Sequence, residues 1–176
     1  MALTKLNFGG NQQALVASDI PVLTANKLPS GSVLQVKSQQ MSTETVLTTS
    51  YASMNNSNIA ITPTSTSSKI LIEFGYHIYI NATTSGSWRG MFTRLMNVTA
   101  DTVLLPAHGV YGDSVIFDGS NERLMTYSNG SFIHSPSTTS SITYGLESAK
   151  SVDSGTIQVN SSFGRKGYIT LTEIAG

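Results

Sequence analysis

The run from Thr62 to Ile80 constrains the fold more than any other part of the chain. A turn of small hydroxyl residues, Thr62-Pro63-Thr64-Ser65-Thr66-Ser67-Ser68-Lys69, leads into Ile70-Leu71-Ile72-Glu73-Phe74-Gly75-Tyr76-His77-Ile78-Tyr79-Ile80. Ile70, Ile72, Phe74, Tyr76, Ile78 and Ile80 recur every second residue and fall on one face of a strand, with Glu73, Gly75 and His77 on the other. A strand this long with one apolar face needs a second layer to bury it, so a sandwich is expected.

The rest of the chain agrees. From Ser32 onward, short β segments are separated by clusters of Ser, Thr, Gly, Asn and Pro, and no helical period interrupts them. The pattern predicts strands near 32–39, 42–49, 57–62, 68–81, 87–97, 101–105, 113–117, 122–134, 141–149, 155–161 and 167–174. Ser50 to Asn56 reads as a loop crossing between sheets, and Asp118-Gly119-Ser120-Asn121 as a turn. The expected fold class is all-β, an antiparallel two-sheet sandwich, jelly-roll-like, over residues 31–176. No internal repeat or heptad encodes a fibrous shaft.

Residues 1–30 differ in character. Ile20-Pro21 and Leu28-Pro29 interrupt regular structure, and a helical turn near Asp19 to Ala25 could start at Pro21 at the earliest. Leu3, Leu6, Phe8, Leu15, Ile20, Leu23 and Leu28 are too many apolar residues for a solvated tail. An extended attachment arm is expected, either docking on a neighbouring subunit or virion partner or folding over its own domain.

Solvation depends on hydroxyls and amides. Charged residues make up 11% of the chain, and the ten basic and ten acidic residues balance. Without a basic run, nucleic acid binding by phosphate neutralisation is excluded from the expectations. Such a composition suits packed assemblies, where each buried charge needs a partner. There is no cysteine, hence no disulfide and no thiolate metal site. No stretch reaches the roughly 20 apolar residues that span a bilayer, and Met1 to Asn7 lacks a secretory apolar run. The expectation is synthesis in the host cytoplasm without membrane insertion.

Catalytic signatures are lacking. His77, His108 and His134 have no metal-ligand spacing, and no cofactor fingerprint occurs. Glu73 and His77 are about 13 Å apart along one strand and cannot pair within it; each is exposed or meets another subunit, with a pH-responsive contact as the sharper reading. Asp113 and Asp118 are the best pair for a polysaccharide-cleaving rim, but the expectation is a protein that is not an enzyme. Trp88 and Arg89, in Ser85-Gly86-Ser87-Trp88-Arg89-Gly90, could stack on a sugar or a protein, or cover the end of the core. Tyr111 and Asp113 sit in a similar glycine-flanked segment. These four are the candidate receptor or partner contacts. Met91, Met96 and Met125 read as core or interface packing.

Residues 30 to 174 resemble a domain of bacteriophage tail-fibre and related virion surface proteins, particularly of marine and cyanobacterial phages. The resemblance is carried by Gly31-Ser32-Val33-Leu34-Gln35-Val36, by Ser42 to Ser50, and by Ile61-Thr62-Pro63 through Ser68-Lys69-Ile70-Leu71-Ile72. It is carried also by Thr143-Tyr144, Gly155-Thr156-Ile157-Gln158-Val159-Asn160 and Ile169-Thr170-Leu171-Thr172-Glu173-Ile174. It implies a homotrimeric component on the virion surface, with no catalytic residues. The leading expectation is a short tail-fibre or receptor-binding protein attached through its arm to the tail or baseplate and meeting a host-surface glycan or protein. The alternative is a capsid cement or decoration protein on the major capsid protein, stabilising the head shell.

Overall fold

A computed structural model describes residues 28–81, 87–107, 113–117, 123–151, 155–160 and 164–176, with backbone only at 87–89 and 113–117. The described residues form an all-β structure of two antiparallel sheets. The strands are β1 (Val33–Met41), β2 (Thr45–Val46), β3 (Ala52–Ser53), β4 (Ile59–Ile61), β5 (Lys69–Asn81) and β6 (Ser87–Asn97). They continue with β7 (Thr102–Leu105), β8 (Asp113–Phe117), β9 (Arg123–His134), β10 (Ile142–Lys150), β11 (Thr156–Val159) and β12 (Gly167–Ile174).

Sheet A is built around β5. One edge of β5 pairs with β9 along twelve residue pairs, from Ile70 opposite His134 to Asn81 opposite Arg123. The other edge is shared: β12 takes Lys69 to Gly75 and β11 takes Ile78 to Asn81. Beyond these lie β1, against β12, and β2, against β11. Sheet B is built in the same way around β6 and β10, which pair from Met91 opposite Lys150 to Asn97 opposite Tyr144. β7 and β8 share the outer edge of β6, and β3 and β4 share that of β10. The chain changes sheet at β2–β3, β4–β5, β5–β6, β8–β9, β9–β10 and β10–β11.

The predicted alternation on β5 holds along its length: all six expected inward residues, from Ile70 to Ile80, are buried. Ile169 and Leu171 of β12 and Ile157 and Val159 of β11 extend that face, and Met91, Leu95, Tyr144 and Leu146 of sheet B cover it. Two polar links cross the core. The Tyr76 hydroxyl hydrogen-bonds to Thr93 Oγ1 at 2.9 Å, and Thr93 to Ser148 Oγ at 2.9 Å, joining the sheets without leaving the hydroxyls bare. His134 Nδ1 lies 2.8 Å from the Tyr144 hydroxyl, whose pKa burial pushes up to about 12, so Tyr144 stays protonated in this contact.

Two local expectations are corrected. Residues 42–49 do not form one strand; only Thr45–Val46 does, against Gln158 and Val159, with the Leu47 N–H donating to the Ile157 carbonyl at 2.9 Å just beyond it. Within the expected crossing loop, Ala52–Ser53 forms β3 against Glu147 and Ser148. The helical turn near 19–25 and the turn at 118–121 lie outside the described residues.

Glu173 is the buried charge whose satisfaction the composition demands. It is fully buried on β12. Gln35 Nε2 donates to its Oε2 at 2.6 Å, while the Thr64 backbone N–H and hydroxyl donate to Oε1 at 2.7 and 2.8 Å. Burial pushes its pKa up, but the nearby Ser68 hydroxyl and the hydrogen bonds from Gln35 and Thr64 outweigh that and leave it lowered. The folded state therefore binds this proton less readily than the unfolded chain. The stabilisation is complete above the ordinary carboxyl range, about 4.3, and is lost as pH falls through the lower folded value. Glu173→Ala leaves the Thr64 and Gln35 donors unsatisfied and is expected to cost about 2–4 kcal/mol, read by urea unfolding at pH 7. The gap between wild type and E173Q should narrow as pH drops below 4.

Candidate interaction surfaces

The side of sheet A turned away from the core is unusually apolar for a solvent face. Seven of the ten large hydrophobic residues exposed among the described residues lie on sheet A strands: Val33 and Val36 on β1, Val46 on β2, Met125, Tyr127 and Ile133 on β9, and Tyr168 on β12. Their concentration marks one side of the sandwich. The register turns Leu71, Gly75 and His77 of β5 outward beside them, and the charged residues with that orientation are Lys69, Glu73 and Arg123.

An aromatic cluster occupies the middle of this face. The His77 and Tyr127 rings meet edge to face with centroids 4.7 Å apart, and the Tyr127 hydroxyl hydrogen-bonds to Tyr168. Both tyrosines lean over Gly75, where a Cβ would collide with the Tyr127 hydroxyl and come 2.9 Å from Tyr168 Cε1. Glycine is required here so that rings from β9 and β12 can lie on β5. Partial burial and then the Tyr168 hydrogen bond raise the Tyr127 pKa. Burial and then the nearby Arg165 charge lower that of His77. The backbone of His77 is clipped by Asn160, whose N–H donates to the His77 carbonyl at 2.9 Å while its Oδ1 accepts from the His77 N–H at 3.2 Å. His77 Nδ1 is buried and has no hydrogen-bond partner among the described residues.

A second feature lies on the outward side of sheet B: a groove of about 530 Å³ lined by Tyr51, Phe92, Arg94, Val103, Pro106 and Ala149 among others. Arg94 and Glu147 stand opposite each other on β6 and β10. Arg94 Nε and Nη2 both donate to Glu147 Oε2, at 2.8 and 2.6 Å. The guanidinium also lies 4.2 Å over the Tyr51 ring.

Few of the residues singled out from the sequence are brought together. Trp88, Arg89 and Asp113 are on neighbouring strands, with Trp88 opposite Ile116, Arg89 opposite Val115 and Met91 opposite Asp113. Trp88 and Arg89 are in strand β6, not a loop. Their side chains and Tyr111 lie outside the described residues, as do Leu3, Leu6, Phe8, Leu15, Ile20 and Leu23. Leu28 is half-buried and lines a small cavity with Leu34 and Ala175, beside the Gly31 N–H to Ala175 carbonyl hydrogen bond of 2.8 Å. Met91 and Met96 are buried, whereas Met125 is on the exposed face of sheet A. Neither the aromatic cluster nor the Arg94–Glu147 groove was read from sequence. The outward position of Gly75 and His77 on β5 was the available signal for the cluster; the groove depends on strand register.

Among the described residues, no group of three or more His, Cys, Asp or Glu is placed to hold a metal ion, and no helix is long and apolar enough to cross a membrane. No family model matches the chain, and no curated protein matches it. Solved structures of infectious bursal disease virus do. The Gt strain structure is 13% identical over 84% of this chain and 39% of that one, with TM-score 0.37. The Gx strain structure is 12% identical over 84% and 38%, with TM-score 0.39. The VP2 subviral particle is 12% identical over 81% and 38%, with TM-score 0.37. The chain thus spans less than two-fifths of the length of these viral chains.

Proposed function

We propose that this chain is a structural component of a bacteriophage virion, a short homotrimeric tail-fibre or receptor-binding protein attached through its N-terminal arm. The observation that carries its assembly role is the apolar, charge-poor outer face of sheet A, centred on His77, Tyr127 and Tyr168. Three copies packed through this face would bury the exposed aromatics and protect the edge of β9. Sheet B would then face the medium, where three weak receptor contacts add through avidity. The phage assignment is supported by the resemblance of residues 30 to 174 to virion surface domains. A scaffold with hydroxyl-rich surfaces and no catalytic motif fits a role in binding.

Immunogold labelling of the particle tests the proposal. Label at the tail or baseplate is expected; label distributed over the head shell would replace it with the decoration role. Because residues 28–32 are tied to the C-terminus, deletion of residues 1–27 should leave the sandwich folded and the trimer intact while abolishing incorporation into particles. Loss of folding in that deletion would assign the arm to its own core.

A further inference from the structure

We infer that the groove over Phe92 and Arg94 on sheet B is a binding site for a hexopyranose unit of a surface polysaccharide. The inference rests on the receptor-binding role proposed above and names the ligand class and the residues that take it.

The chemistry of the groove selects this class. Its floor is apolar and aromatic, with Phe92 and Ala149 opposite each other across β6 and β10 and with Val103 and Pro106 along one wall. Such a floor suits the C–H face of a pyranose ring. Thr49, Lys150 and Ser151 add polar groups to the lining, and the Arg94–Glu147 ion pair at its side is only partly spent. Both contacts of the Arg94 guanidinium go to Glu147 Oε2. Among the described residues Glu147 Oε1 accepts no hydrogen bond and Arg94 Nη1 makes none. A donor and an acceptor therefore sit side by side at side-chain exposures of 29% and 22%, fixed by each other and by the Tyr51 ring.

Two neighbouring sugar hydroxyls match that pair, one accepting from Nη1 and the other donating to Oε1. The groove's 530 Å³ lies within the roughly 300–1,000 Å³ of small-ligand sites and has room for more than one ring. The outer face of sheet B remains open when sheet A is covered, so assembly does not compete with this site.

The test uses the full chain against an array of neutral gluco-, galacto- and manno-oligosaccharides and their uronic-acid counterparts, alongside adsorption to the cells that the particle infects. Binding to at least one series is expected, weakened at least tenfold by R94A, E147Q and Y51A. Val103→Trp supplies a variant that takes nothing from the core, since Val103 is exposed on β7; it should block the groove and abolish binding. Sugar binding or cell adsorption that survives all four substitutions would overturn the site and leave the receptor role standing. A chain that binds neither cells nor any sugar would overturn the receptor role and this assignment together.

Discussion

Ile133→Asp and Tyr127→Asp are each expected to convert the assembled protein into single subunits that keep their β-sheet spectrum. Ile133 and Tyr127 are 57% and 41% exposed in the isolated chain, so a carboxylate at either position is solvated and the fold loses little. In an assembly packed through sheet A, the same carboxylate would be buried without a partner. Such a charge costs about 3–5 kcal/mol, a loss of roughly a hundredfold to several thousandfold in subunit affinity. Sedimentation velocity of wild type and variants at equal concentration reads the change. If both variants keep the wild-type mass, the face is not an interface.

Ile72→Ala should produce the largest loss of stability from one core truncation. Ile72 is fully buried on β5, between Phe132 of β9 and Leu171 of β12. Its neighbours on three strands are held by backbone ladders and cannot collapse into the space. The expected cost is about 3–4 kcal/mol, from lost transfer energy plus the cavity that remains. At about 2–4 °C per kcal/mol for a domain of this size, the thermal midpoint should fall by about 10 °C. A change under 3 °C would mean that the centre of sheet A is loosely packed and that the core lies elsewhere.

The sequence was most legible where one face is buried and the other is not. Ile70 to Ile80 alternates cleanly because sheet B covers one side of β5, and the predicted span of 68–81 differs from Lys69–Asn81 by one residue. Signals weakened where strands are short or both faces are mixed. Ala52–Ser53 became a strand only because Glu147 and Ser148 present an unfilled edge, which two residues cannot announce in sequence. On β6, Phe92 and Arg94 alternate with Met91, Thr93 and Leu95, so apolar residues occupy both faces and neither stands out.

The groove was hidden for a different reason. Arg94 and Glu147 are 53 positions apart and meet only through the β6–β10 register, while Tyr51 arrives from a third segment. Sheet order decides that site, and periodicity carries no sheet order. The outer face of sheet A was half legible: Glu73, Gly75 and His77 were placed outward. That Tyr127 and Tyr168 would cover Gly75 follows from β9 and β12 flanking β5 in register, His77 opposite Tyr127 and Gly75 opposite Tyr168.

The most direct test of the proposed assembly is the solution mass of the intact chain, measured by light scattering over a hundredfold range of concentration. A constant mass three times that of the 18.7 kDa chain is the predicted result, with the outer face of sheet A covered by its own copies. A single-chain mass persisting to the highest concentration would contradict it.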